Sequence, residues 1–333
     1  MMKIALLGSG RMAHVYGPKI AEHPHIELTW VFNPNLASAQ KVATAYGGCA
    51  TDNLAQLLES DNIDSVIIAT PPPTHFEYIS ACAQAGKAIY CEKPLEQNKE
   101  KVKACLDVLN EYPVPFMLGF NRRFDPEISA LRKAVVNGEV GDLTFLMSWS
   151  REPEPPPKEY IKRSGGYFVD ATIHDIDLLC WIAAELPQEV YATGSCLFSP
   201  DIGELGDVDA TMTTLKMPSG CIVHINNSRQ CCYGFDQRLE AFGNKGMLQT
   251  TNQRDDNLIL WGLSQTEAKA PLKHFFLERY DQSFYRALDA FYNSVSKGES
   301  PLPNVLDGRN ALIIALACDQ SRREGKAIKP VYE

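Results

Sequence analysis

The segment from Gly165 to Trp181 reads GGYFVDATIHDIDLLCW, with Asp170, His174 and Asp177 spaced by four and three residues. On an α-helix such spacings bring side chains to one face. An imidazole between two carboxylates has its tautomer fixed and its basicity raised, which suits it to take a proton near neutral pH. The same residues also fit a plainer arrangement, with Asp170 capping the helix and His174 an ordinary partly buried histidine. The stretch alone leaves both readings open. One histidine with Asp175 and Asp177 on a single helix is a poor ligand set, so no metal is expected.

The chain start supplies a partner for such chemistry. An apolar run, Lys3 to Leu7, leads into Gly8-Ser9-Gly10-Arg11-Met12-Ala13 and then a helical segment to about Glu22. Strand, glycine turn and helix in this order match the dinucleotide fingerprint GxGxxG/A, with Ala13 in the third place. Gly8 permits the turn and Gly10 lets backbone approach a pyrophosphate. The helix N-terminus offers free N–H groups to it, so Gly8, Ser9, Gly10, Arg11 and Met12 are expected at the cofactor. The second strand, Leu28 to Phe32, ends at Asn33, where NAD-binding chains carry an acidic residue for the ribose hydroxyls. Asn33 can still bond a ribose, and no arginine follows immediately to hold a 2′-phosphate. NAD is therefore expected, with NADP not excluded by a neutral side chain.

The alternation of strand and helix continues. Asp64 to Thr70 reads as a buried parallel strand that stops at Pro71-Pro72-Pro73-Thr74-His75, where Thr74 is expected to cap the next helix. Ala88 to Cys91 runs into Glu92-Lys93-Pro94, and Pro115 to Phe120 completes the set. Ligands of open α/β sheets bind at the carboxyl ends of strands. Thr70, Pro71, Pro72, Glu92 and Lys93 are thus expected at the cofactor, and His75 faces either cofactor or solvent. A lysine at Lys93 can bond a substrate hydroxyl and stabilise developing alkoxide charge.

Beyond residue 140 the pattern changes. Leu143, Phe145, Met147 and Trp149 alternate with mostly small or polar residues, a strand period. Asp209–Met217 and Cys221–Arg229 flank Pro-Ser-Gly, and Arg238–Gly243 and Met247–Gln249 flank Asn-Lys-Gly, so two hairpins are expected. Helical spacing returns at Phe284, Leu288, Phe291 and Val295, and again from about Gly308 to Glu324. The 333 residues suggest two domains, 1–121 and 122–333. A net charge of −9 argues against nucleic acid or an anionic membrane surface as partner. Ten cysteines without a CxxC pair fit buried thiols in a reducing compartment. No apolar run is long enough to span a membrane and no signal peptide is recognisable, so a cytoplasmic location is expected.

At Asn121-Arg122-Arg123-Phe124-Asp125-Pro126 the sequence comes to resemble the glucose–fructose oxidoreductase / inositol dehydrogenase / MocA family. GSGRMA, EKP, NRRFDP and SGGYFVDATIHDIDL carry the resemblance in order, with SREPEPPPKEYI and YGFDQRLEAFGNKG looking particularly like its inositol 2-dehydrogenase members. The resemblance implies an α/β chain, a Rossmann domain followed by an α/β domain on a large, mostly antiparallel open sheet. One face of that sheet is implied as a homodimer or homotetramer interface. It also implies NAD(P)-dependent oxidation of a secondary hydroxyl of a cyclic polyol, myo-inositol foremost, with another inositol isomer or an aldose as alternatives. Lys93, Asp170 and His174 then carry the chemistry and touch substrate, with His174 as general base. Tyr233 is a further candidate for the substrate and Arg122 for the cofactor, while the proline-rich Glu152–Pro157 looks like a substrate-side wall. A dinucleotide-binding sensor without turnover is the reading from another class; loss of Lys93 or His174 would favour it, and both are intact.

Overall fold

The computed structural model describes residues 1–332. Its chain divides into two compact units, Met1–Phe124 with Gln282–Leu312, and Asp125–Asp281 with Ile313 onward.

The first unit is built on six parallel strands: β1 (Met2–Leu7), β2 (Ile26–Phe32), β3 (Cys49–Thr51), β4 (Ser65–Ile68), β5 (Ala88–Cys91) and β6 (Phe116–Leu118). Their order in the sheet is 3-2-1-4-5-6. Ile4 to Leu7 and Val66 to Ile68 are wholly buried, as strands covered on both faces require. Between them run α1 (Arg11–Glu22), α2 (Leu36–Tyr46), α3 (Leu54–Leu58), α4 (His75–Gln84) and α5 (Lys99–Glu111). Asn35, Asn53 and Asn98 start α2, α3 and α5, each side chain accepting from the amide three residues on. Thr74 does not cap α4 as expected; its hydroxyl turns back to Thr70 Oγ1 and the Pro71 carbonyl, both at 2.8 Å.

The second unit carries α6 (Pro126–Val136), β7 (Leu143–Arg151), α7 (Lys158–Ile161), α8 (Ile173–Ala183), β8 (Glu189–Ser195), α9 (Pro200–Glu204), β9 (Ala210–Lys216), β10 (Ile222–Ser228), β11 (Asp236–Gly243) and β12 (Gly246–Gln249). The short pair β13 (Ile259–Leu260) and β14 (Ala268–Lys269) and the helical turn α10 (Phe276–Arg279) follow. Asp125 caps α6 with Pro126 at the first helical position. The six-stranded sheet has the order 12-11-7-10-9-8. Its pairings are antiparallel except β7 with β10, which makes it a mixed sheet, and both expected hairpins are present as β9–β10 and β11–β12. Leu146, Val223, Ile225, Leu215 and Ala241 are buried on one face, and α8 packs on that face through β7. No described helix is long and apolar enough to cross a membrane.

The sequence suggests a single change of domain at residues 121 and 122, but the chain returns. Helix α11 (Asp281–Lys297) and the start of α12 (Val305–Glu324) belong to the first unit. Phe284 meets Tyr16 edge-on at 5.9 Å and Phe291 meets Tyr90 at 5.7 Å. The Leu118 amide bonds the Pro303 carbonyl at 2.8 Å, and Arg123 pairs with Asp307 at 2.9 Å. Aromatic rings with no access to water carry the return. Phe291→Ala should therefore cost about 3–5 kcal/mol, read as a lowered urea midpoint.

Candidate active site

Gly8 has φ +108°, and a Cβ there would lie 2.6 Å from the Ala69 carbonyl oxygen, so only glycine fits between β1 and β4. A Cβ on Gly10 would meet nothing within 4 Å. Gly10 caps α1 with no side-chain hydrogen bond, and no acidic residue occupies the first turn. The amides and the positive dipole end of α1 therefore remain available to a pyrophosphate. Ser9 and Met12 are half-buried and Arg11 is exposed around this turn. Asn33 accepts from the Asn35 amide through Oδ1 at 2.8 Å. Its Nδ2 has no partner among the described residues, so the side chain offers a ribose a donor. These features fit NAD, whose nicotinamide supplies a hydride acceptor when bound.

Thr70, Pro71 and Pro72 lie at the carboxyl end of β4, beside the same turn. His75 is placed differently from either expectation. Its ring is fully buried, with Nδ1 2.9 Å from the Pro94 carbonyl and Nε2 3.0 Å from that of Thr70. Burial pushes its pKa down. A neutral imidazole carries one N–H, so it donates to one of these two carbonyls at a time, at the end of β4 or at the turn that carries Lys93.

Glu92 is also turned inward. Its Oε1 accepts from the Tyr16 hydroxyl on α1, and its Oε2 from the Lys93 amide at 3.2 Å. Tyr16 and Tyr90 lie hydroxyl to hydroxyl at 3.0 Å. Burial and the neighbouring carboxylate push both phenols above their usual range, so both keep their protons. Burial raises Glu92, while Tyr16 and Lys93 pull it back. Lys93 itself is half-buried at the end of β5. Arg122 is buried in a 3₁₀ turn, Asn121–Phe124, whose Asn121 bonds Ser283 at 3.0 Å.

In the second unit, Asp170 lies in one π-helical turn, Phe168–Thr172, that runs into α8. The expected continuous α-helix is thus interrupted where the aspartate sits, and such wide turns are frequent at functional sites. Asp170 is buried, accepting from the Tyr160 hydroxyl at 2.7 Å through Oδ1 and from Arg229 at 3.4 Å through Oδ2. Arg229 is fully buried, lies 4.3 Å over the Tyr167 ring and also pairs with Asp207 at 3.5 Å. Burial pulls its pKa down, but Asp170 and its other anionic neighbours hold it above the usual value. His174 is half-buried on the first turn of α8. The next residue, Asp175, fastens that turn to the sheet: Ser148 donates to one oxygen at 2.5 Å and Asn227 to the other at 3.0 Å. Asp177 is buried further along.

Tyr233 is half exposed, with its hydroxyl donating to Asp236 at 2.9 Å and accepting from Arg151 at 2.8 Å. It lines a cavity of about 680 Å³ with Arg238, Arg254 and His274. Sequence reasoning missed Tyr160, Arg229 and Asp207. Tyr160 stands in the quoted SREPEPPPKEYI stretch, but Arg229 gave no local signal because its partner is 59 residues away.

Comparison with known proteins bears on this arrangement. Residues 2–120 match the model of an oxidoreductase family with an NAD-binding Rossmann fold, and residues 128–249 match the GFO/IDH/MocA C-terminal domain. The chain is 38% identical over 328 residues to an inositol 2-dehydrogenase of Rhizobium meliloti, covering 98% of each chain. It is 40% identical over 274 residues to a myo-inositol 2-dehydrogenase of Thermotoga maritima, covering 82% of each. The crystal structure of a myo-inositol dehydrogenase from Corynebacterium glutamicum superposes with a TM-score of 0.95 at 40% identity, over 99% of this chain and 98% of that one.

The geometry at Asn33 yields a test of cofactor choice. Asn33→Asp adds an acceptor for ribose hydroxyls and a charge that repels a 2′-phosphate. The Kd for NADH should stay within about twofold and that for NADPH should rise about tenfold, or ~1.4 kcal/mol, in fluorescence titrations.

Proposed function

Because this chain belongs to the GFO/IDH/MocA family of oxidoreductases, we propose that it oxidises one secondary hydroxyl of an inositol, myo-inositol foremost, to the ketone with NAD as acceptor. The observation that carries the reading is Lys93 at the carboxyl edge of the sheet whose first turn forms the dinucleotide cradle. An ammonium there binds the reacting oxygen and lowers the cost of alkoxide character. His174 takes the hydroxyl proton, since imidazole exchanges protons near neutral pH. Asp170, held from two sides by Tyr160 and Arg229, binds a neighbouring hydroxyl or orients His174. Asp175 keeps the turn that carries His174 seated on the sheet. Tyr233 is a candidate contact for a further hydroxyl.

The protein acts on a small polyol and assembles with copies of itself. The sheet face away from α8 carries Phe145, Tyr191, Met212, Ile222, Phe242 and Met247, all exposed and on one side by strand register. Apolar surface of this extent is a mark of an interface, and a second copy of the same sheet is the occupant it suits.

Purified protein with NAD should produce absorbance at the NADH band with myo-inositol, and the other inositol isomers and aldoses serve as comparison. His174→Ala should lower kcat by about 10²–10⁴-fold with the NADH Kd unchanged; absence of turnover with every polyol, alongside tight NAD binding, would instead favour a sensor. For assembly, light scattering after gel filtration should give a multiple of the chain mass. Met212→Glu with Phe242→Glu should reduce that mass toward one chain.

A further inference from the structure

We propose that Glu92 is a positioning residue for Lys93, held in place by the hydroxyl chain Tyr90–Tyr16. The inference rests on the reading that Lys93 binds the reacting oxygen.

The hydrogen count in this cluster singles out one state. Three donors meet there: the Tyr90 hydroxyl, the Tyr16 hydroxyl and the Lys93 amide. With Glu92 as a carboxylate, Tyr90 donates to Tyr16, Tyr16 to Oε1 and the Lys93 amide to Oε2, so each hydrogen has one acceptor. A proton on Glu92 breaks the scheme. Oε2 already faces an N–H, so the added hydrogen sits on Oε1 and points at Tyr16. Tyr16 must then donate to Tyr90, and the Tyr90 hydrogen is left without an acceptor among the described residues. The geometry therefore favours the charged form against the pull of burial, and the attraction of Lys93 adds to it.

The inner end of the cluster has no exposure to water. Tyr16 and Tyr90 are fully buried, with Phe284 and Phe291 packed edge-on against them. A proton wire needs an exit, so its work is mechanical and electrostatic. One oxygen of Glu92 grips the backbone of Lys93, the other is gripped from α1, and the lysine charge attracts the carboxylate. From the other side of the turn, the His75 ring faces the carbonyl of Pro94. The helix whose N-terminus offers amides to the pyrophosphate and the turn that carries Lys93 are thus joined by a single carboxylate.

A double-mutant cycle tests this. Glu92→Gln keeps the volume but sets an NH₂ against either the Tyr16 hydroxyl or the Lys93 amide. It should lower kcat with inositol by about 10- to 100-fold while the NADH Kd stays within about twofold. In a Lys93→Ala background the same change should cost less than about twofold more, because its effect passes through the lysine. An equal loss in both backgrounds, or a wild-type kcat for Glu92→Gln, would overturn the proposal. Tyr16→Phe, which removes only the donor, gives the same readout should Glu92→Gln fail to fold by circular dichroism. A wild-type rate for Lys93→Ala alone would overturn the assignment of Lys93, and this proposal with it, before any Glu92 variant is made.

Discussion

A guanidinium shut away from water must be met by carboxylates, and much of the second unit is arranged around meeting that of Arg229. The ion sits at the end of β10 with no exposure, between Asp170 and Asp207 and over the ring of Tyr167. Each partner belongs to a different piece of chain. Asp170 lies in the π-helical turn before α8, and Asp207 follows α9 and receives the Tyr167 amide at 3.0 Å. Tyr160, on the far side of Asp170, brings in the segment after the proline run, while Lys158 fastens the same segment to Glu204 at 2.8 Å. Such buried ion clusters contribute little net stability compared with apolar packing. What they do supply is a defined orientation for each carboxylate.

The sheet adds a second set of fixed polar points. Its inner face is not uniformly apolar: Ser148, Ser150, Asn227 and Gln237 are buried among the aliphatic residues. Apart from the Gln237 amide nitrogen they are paired, with Thr172 donating to Asn227 at 2.7 Å, Asn227 and Ser148 to Asp175, and Ser150 to Gln237 Oε1 at 2.9 Å. Unpaired, each of these groups would carry a desolvation penalty of about 1–3 kcal/mol. Sliding α8 along the sheet would unpair several together. The turn bearing His174 is held by this all-or-none matching.

What could be read from the sequence was what is local. The run Lys3–Leu7, the glycine turn and the following helix lie within twenty residues and reappear as β1, the cradle and α1. The hairpins were marked by their Pro-Ser-Gly and Asn-Lys-Gly turns. Three things were not legible. The π-helical turn at Asp170 depends on how the chain meets the sheet, and no spacing rule announces it. Glu92 and His75 lie at strand ends facing a cofactor edge in sequence terms, yet their side chains are drawn inward by Tyr16 and by two carbonyls. The return of α11 to the first unit rests on aromatic pairs separated by some two hundred residues or more, such as Tyr16 with Phe284.

That return has a bearing on how the protein is made. A ribosome delivers β1 to β6 early, but the rings of Tyr16 and Tyr90, edge-on to each other, lack their outer cover until Phe284 and Phe291 emerge. The dinucleotide half therefore begins first but is closed only by residues 282–312, after the strands of the second unit have been made. The second unit's six-stranded sheet, whose strands all lie between residues 143 and 249, can form while the first unit still waits for its closing helix. A truncated product ending before residue 281 would carry the glycine turn without the helix that closes its core.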